Sequence, residues 1–438
     1  MEGLIMAAQL IMGLSILVTL HELGHFWAAR AFGIKVEKFY LFFDAWGFKL
    51  FSFKIGETEY GMGWLPLGGY VKIAGMIDES MDKEQMKKPA EPWEFRAKPA
   101  WQRLIVMLGG VTMNVILGIA LFAFSLHHYK KEYLSNEAVK DGIYAYELGR
   151  EVGLKSGDKI IAINGESFER FEDAIGPKVL FGATLTVDRD GKKTDVKIPS
   201  NFYRTVSKAG KGKFIGPDRI KFIVDSVLKG MPADVAGLKK GDKIISLNSE
   251  KINYFGELRE KISKSGGKEI QLQVVRGSDT LLLQSKVSVD GTIGFVSKNS
   301  YKVENYSVGK AIKYGASDAI LALVANAKGL GKLFTGEEKA TDSVQGPIGI
   351  AKIYGGVWDW AKFWTITGLL SMVLAFMNIL PIPALDGGHV IFLIIEAVTG
   401  KKFSDKFMER AQIVGMVILL SIMVFAVGND IWKLFPQK

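Results

Sequence analysis

The chain has 438 residues, 48% of them apolar, a formal net charge of +10 and no cysteine. Without cysteine there are no disulfides, thiolate metal ligands, iron–sulfur clusters or thiol nucleophiles. The lysines and arginines are spread over many segments with no aromatic-and-basic motif, so the charge reads as membrane-flanking and no nucleic-acid partner is expected.

The first apolar stretch runs from Leu4 to about Ala31, with Gln9 its one strongly polar residue before His21. It lacks a basic leader and a small-residue cleavage pattern, so it reads as a retained span and not as a signal peptide. From Leu41 to Ile73 the chain is rich in glycines, aromatics and β-branched residues. FKLFSFKIG alternates with a period near two, and Thr58–Trp64 and Gly69–Ile73 read as further strands. A sheet edge at membrane depth must be buried in protein or line a watery cavity, so this segment is expected to line one. The mixed-charge run 78–91 reads as a solvated loop. Apolar stretches from Leu104 to Leu126, from Phe363 past Leu380, and over Ile413 to Leu434 each reach the roughly 20 residues that cross a bilayer. Basic residues follow the first span (Lys35, Lys38, Lys72, Arg96, Arg103) and fill the loop before the last one (Lys401, Lys402, Lys406, Arg410). Both loops are therefore expected in the cytosol, and the insert from about 127 to 362 outside it.

That insert repeats itself. GLKSGDKIIAINGE at 153–166 returns as GLKKGDKIISLNSE at 237–250. Gly153 matches Gly237, Asp158 matches Asp242, and Asn164 matches Asn248. Strand-like segments Thr184–Val187 and Ile270–Val275 follow, each running into Arg and Gly. The period is too long for a solenoid and fits two small globular domains. The copies resemble PDZ domains, which bind extended peptides at a sheet edge; exclusion of bulky substrates is the other role such a pair can play. Between Ser307 and Phe334 apolar residues recur at helical spacing with lysines between them, which suits either a membrane-surface helix or one packed on a globular copy.

His21-Glu22-Leu23-Gly24-His25 places two imidazoles on one helix face, able to grip one metal ion, with Glu22 beside the attacking water. Imidazole and carboxylate donors without redox chemistry suit zinc. Ionisable side chains inside a span are costly and mark function. A third ligand is required, and Asp386 in Asn378–His389 (NILPIPALDGGH) is the candidate. Pro381 and Pro383 break the helix there, and Gly387 and Gly388 allow close approach. The alternative for Asp386 is an ion pair with a lysine elsewhere. His389 reads as a hydrogen-bond partner or as polar filler at the cavity edge. His127-His128 reads as interfacial.

Taken in order, HELGH, LPLGGYVK at 65–72, KPAWQR at 98–103, the twin copies, GPIGI at 346–350 and NILPIPALDGGH make the chain resemble the site-2 protease family, in particular its bacterial tandem-PDZ branch, the regulator-of-sigma-E proteases. The resemblance implies His21, His25 and Asp386 as Zn2+ ligands and Glu22 as catalytic acid and base. It implies substrate contacts by Asn378 and by Gly68, Gly69 and Tyr70 of the membrane-associated β element. It also implies single-span membrane proteins as substrates, such as anti-sigma factors and signal-peptide remnants. Phe42–Gly47 (FFDAWG) stands where the family often has Gly-Phe-Gly, and GREVGL at 149–154 is shorter than GMPADVAGL at 230–238; both departures bear on substrate selection.

The expected architecture is an α-helical polytopic membrane protein with four transmembrane helices, a membrane-associated β element and two inserted PDZ domains, a mixed α/β chain. Its expected parts are a first span (1–32), the β element (33–75), a cytoplasmic loop (76–103) and a second span (104–127). Two PDZ domains (128–217 and 218–304), an amphipathic interfacial segment (305–362), a third span (363–400) and a fourth (408–435) follow. The expected setting is a bacterial inner membrane, with lipid around the spans and the PDZ pair on the periplasmic side. Two competing functions are a membrane-anchored metalloprotease acting on soluble proteins and a PDZ scaffold with an inert metal site.

Overall fold

The computed structural model describes residues 1–66, 68–76, 89–217, 223–297 and 303–434; most of the 78–91 loop and the end of the fourth expected span at 435 lie outside them. The chain forms two compact units, Met1–Lys131 with Tyr306–Lys438, and Glu132–Asn305.

The first unit is built on helices α1 (Glu2–Ala31), α2 (Ala100–His128), α3 (Val308–Phe334), α4 (Pro347–Tyr354), α5 (Trp360–Asn378), α6 (Asp386–Thr399) and α7 (Asp405–Trp432). Among the described residues, α1, α2, α5 and Lys406–Trp432 of α7 are long and apolar enough to cross a membrane. Their outward faces are apolar and bare, as at Val414, Val417, Leu420 and Val424 of α7. In water such a face would be a liability; in lipid it is the matching surface. Helix α2 is the hub, packing against α1, α3, α5 and α6. Its closest neighbour is α1, where a Cβ added to Gly24 would lie 2.3 Å from the Gly109 carbonyl oxygen. Small residues let membrane helices approach to backbone contact, where van der Waals packing replaces the missing hydrophobic drive. Helix α3 is the amphipathic stretch expected from sequence. It buries Ala311, Tyr314 and Ala319 and sets Gly315 against the backbone of Ala123 in α2.

Between α1 and α2 lies a four-stranded sheet of β1 (Val36–Leu41), β2 (Lys49–Ile55), β3 (Thr58–Gly63) and β4 (Tyr70–Ile73), in the order β2-β3-β1-β4. Strands β1 and β3 run parallel and the other pairs antiparallel. Strand β1 was not foreseen, although VEKFYL carries the β-branched and aromatic residues of a strand. Strand β2 exposes Leu50, Phe51, Phe53 and Ile55, drawn from both faces of the strand. Strand β4 borders the cavity described below.

The second unit carries the repeat. Strands β5 (Glu132–Leu134), β6 (Ile143–Ala145), β7 (Lys159–Ile163), β8 (Ala183–Arg189), β9 (Lys192–Ile198) and β10 (Ile215–Pro217) span the first copy. The second has β11 (Val224–Val227), β12 (Lys243–Leu247), β13 (Glu250–Lys251), β14 (Glu269–Arg276), β15 (Asp279–Lys286) and β16 (Phe295–Ser297). Strand β17 (Val303–Asn305) pairs with β5 and closes the unit at its stem. Each copy has its own apolar core, around Leu185 and Val187 in one and Leu272 and Val274 in the other. The repeated Gly-Asp has a physical purpose. Asp158 is buried and accepts from the Lys155 N–H at 2.8 Å and from the Arg189 guanidinium at 2.7 Å. Asp242 does the same with the Lys239 N–H and Arg276. A buried carboxylate is tolerable only when so satisfied. The repeated asparagine accepts from a strand N–H, Thr184 to Asn164 and Gln271 to Asn248, each at 2.8 Å.

Candidate metal centre

Helix α1 presents His21 and His25 one turn apart, with their Nε2 atoms 3.3 Å from each other. Helix α5 ends at Asn378, and the chain turns through Pro381, Pro383 and Ala384 before α6 begins at Asp386. The expected third span is thus two helices with the proline break between them. Ala384 takes the left-handed conformation, φ 78°, a costly state for a residue with a Cβ. The turn folds back so tightly that a Cβ on Gly387 would meet the Leu380 oxygen at 2.3 Å, and one on Gly388 the Ile382 oxygen at 2.6 Å. The result sets Asp386 Oδ2 3.3 Å from His21 Nε2 and 3.3 Å from His25 Nε2.

These three donors form a triangle with equal edges. A tetrahedral ion with ligands at about 2.05 Å separates neighbouring donors by roughly 3.3 Å, so the triangle has the size of one face of a zinc coordination sphere. The histidines also present the right atoms. His25 Nδ1 donates to the Val106 carbonyl at 2.8 Å and His21 Nδ1 faces the Asn114 amide at 3.0 Å, which leaves both Nε2 atoms toward Asp386. Asp386 Oδ2 is buried and without a hydrogen-bond partner, although it touches both rings. An uncompensated buried carboxylate oxygen is what a cation would satisfy. Two imidazoles and one carboxylate, with a fourth position left for water, suit a catalytic zinc ion.

The triad lines a cavity of about 570 Å³ together with Glu22, Asn378 and β4. Glu22 accepts a hydrogen bond from the Val71 backbone N–H. Asn378 Nδ2 lies 3.2 Å from His21 Nε2. Gly68, Gly69 and Tyr70 lie on the same wall. A Cβ at Gly69 would crowd Val18 and the Tyr40 carbonyl, so glycine lets β4 lie against α1. The structure therefore brings together His21, Glu22, His25, Asp386, Asn378, Gly68, Gly69 and Tyr70. His389 and Gln412 line the same cavity. Three contributors were missed from sequence. Gly110 leaves the space for both imidazoles, since a Cβ there would lie 2.4 Å from His25 Nε2. Asp44 binds the Tyr70 hydroxyl at 2.9 Å and Lys38 at 3.3 Å on the cavity wall, within the segment that departs from the family pattern. Asn114, a carboxamide in the middle of an apolar helix, was a signal available in the sequence.

The chain belongs to peptidase family M50, whose family model matches residues 9–422. It is 30% identical to the regulator of sigma-E protease RseP of Escherichia coli, over 98% of each chain. It is 29% identical to the regulator of sigma E protease of Haemophilus influenzae, over 97% of this chain and 98% of that one. It is also 29% identical to the zinc metalloprotease RasP of Geobacillus kaustophilus, over 96% of each. The family likeness drawn from the motifs and the metalloprotease class agree with these matches.

Proposed function

We propose that the protein is a zinc-dependent intramembrane endopeptidase that cuts single-span membrane proteins during regulated intramembrane proteolysis. The observation that carries this reading is the 3.3 Å triangle of His21, His25 and Asp386, with both histidines on α1, a helix long and apolar enough to cross a bilayer, and the triangle opening into a cavity. His21, His25 and Asp386 would hold the ion. A zinc ion held there would supply Lewis acidity to a bound water and to the scissile carbonyl. Glu22 takes the proton from the attacking water and delivers it to the leaving amine. Asn378 holds the substrate backbone or steadies the developing oxyanion. A substrate helix must unwind before its carbonyls are accessible, and pairing with the cavity-side edge of β4, beside Gly68, Gly69 and Tyr70, re-satisfies its freed backbone groups.

The two copies of the second unit act as PDZ domains on the periplasmic side of a bacterial inner membrane, where they capture substrate peptide or exclude bulky chains. Anti-sigma factors and signal-peptide remnants are the substrates that fit a single-span requirement, and the sigma-E regulators among the relatives support the first of these.

The test is cleavage of a single-span reporter in liposomes by wild type and Glu22→Gln at equal bound zinc. Cleavage inside the span by the wild type alone is expected. Equal cleavage by both removes Glu22 from the chemistry, and cleavage only outside the span favours the reading of a membrane-anchored protease for soluble proteins. Ile73→Pro in β4, which leaves the Val71 N–H to Glu22 in place, should impair cutting of intact spans more than cutting of short unstructured peptides; equal losses would sink strand pairing.

A further inference from the structure

Helix α2 supplies none of the three donors, yet it stands directly behind both imidazoles. Val106, Gly110 and Asn114 are spaced four residues apart and so share one face of it. The Val106 carbonyl accepts from His25 Nδ1. Gly110 makes room for the rings. Asn114, fully buried, meets His21 Nδ1 at 3.0 Å, and its backbone carbonyl accepts from the Ser371 hydroxyl at 2.7 Å.

The Asn114 amide as drawn turns Nδ2 toward His21 Nδ1 and leaves Oδ1 buried without a partner. That arrangement conflicts with metal binding. A histidine that gives its Nε2 lone pair to an ion keeps its proton on Nδ1, and an amide nitrogen facing it would set donor against donor. The oxygen and NH2 ends of a carboxamide are nearly alike in size, so the hydrogen-bond network decides which of them faces the ring. Turning the amide over puts Oδ1 on His21 Nδ1–H and gives the orphaned oxygen its partner.

We infer that Asn114 is the positioning residue for His21: its Oδ1 accepts from Nδ1–H, fixes the tautomer that exposes Nε2, and holds the ring plane toward Asp386. The inference rests on the zinc reading above. Val106 does for His25 what Asn114 does for His21, so one helix face orients both rings. Such outer partners typically contribute 10–100-fold to metal affinity.

The experiment is zinc competition with a chromogenic chelator on the full-length protein in detergent, comparing wild type, Asn114→Leu and Asn114→Asp, with helix content and Tm of the metal-stripped proteins measured alongside. Asn114→Leu should weaken zinc binding by about 10–100-fold at unchanged helix content. Asn114→Asp should stay within a few-fold of wild type, because a carboxylate can accept from Nδ1–H but cannot donate. Wild-type affinity in Asn114→Leu overturns the inference. So does an Asn114→Asp loss as large as that of the leucine variant, since His21 would then need the amide N–H. If Asn114→Leu fails to fold, the aspartate variant alone still decides. A wild type that binds no zinc brings down the metal-site reading itself and this inference with it.

Discussion

At the scale of single residues the site depends on what is missing as much as on what is present. Gly110 sits under both imidazoles, and any side chain there must displace them. Gly110→Ala should therefore lower bound zinc sharply while leaving helix content near wild type; metal analysis of the purified variant checks it, and full occupancy would show that the rings can retreat. The pairing of His21 and His25 on one face of α1 was legible because histidine and glutamate inside an apolar run have few structural uses. Asp386 was legible because the prolines and glycines around it announce a break. Asn114 escaped because a lone carboxamide in a span carries no spacing rule, and its meaning comes only from the ring it faces. The Asp44 contacts escaped for a related reason: Tyr70 and Lys38 come from strands whose register no local pattern states.

At the scale of elements, the contact between α1 and α2 is the most exacting. Their backbones touch at Gly24 and Gly109, so there is no flexible side-chain end to yield. Gly24→Ala should destabilise the bundle by about 1–3 kcal/mol, the usual cost of overpacking, read as a lowered midpoint in detergent unfolding. An unchanged midpoint would mean the helices pass farther apart. The four apolar helices were readable from length and hydropathy. The four-stranded sheet was readable only in part, since FKLFSFKIG and its neighbours alternate visibly while VEKFYL of β1 sets two charged residues side by side and shows no alternation. Its parallel pairing with β3 is a long-range choice that local periodicity does not encode. The division of the expected third span into α5 and α6 followed from Pro381 and Pro383, as the inability of proline to continue a helix requires.

At the scale of the whole molecule, the repeated copies within the second unit are tied to each other by one carboxylate. Glu260 accepts from the Tyr144 hydroxyl at 2.9 Å, from Arg150 at 3.0 Å and from Lys264 at 2.9 Å, and Tyr144 and Arg150 belong to the other copy. Burial pushes the Glu260 carboxyl up, but hydrogen bonds from Arg150, Lys264 and Tyr144 outweigh it and hold the group down at about 2. A carboxyl with a depressed folded value contributes stability that is present above its unfolded value of about 4.3 and is lost as the pH falls toward the folded one. Hydrogen exchange in Glu132–Asn305 of the full chain should thus be faster in Glu260→Gln than in wild type at pH 6, and the gap should close as the pH drops from about 4 to about 2. A gap that persists unchanged would show that this carboxylate does not join the copies. The repeat itself was plain in the sequence; the join was not, because it is made of surface residue types.

The third donor, Asp386, lies far along the chain from His21 and His25, with the whole Glu132–Asn305 unit synthesised in between. A growing polypeptide that has already threaded its first two helices into the bilayer carries two imidazoles and no carboxylate to close the triangle. A copy cut short upstream of the proline turn would lack the third donor and could not complete the triangle. On the proposed metal site, the order of translation would keep the donor set incomplete until the chain is nearly finished.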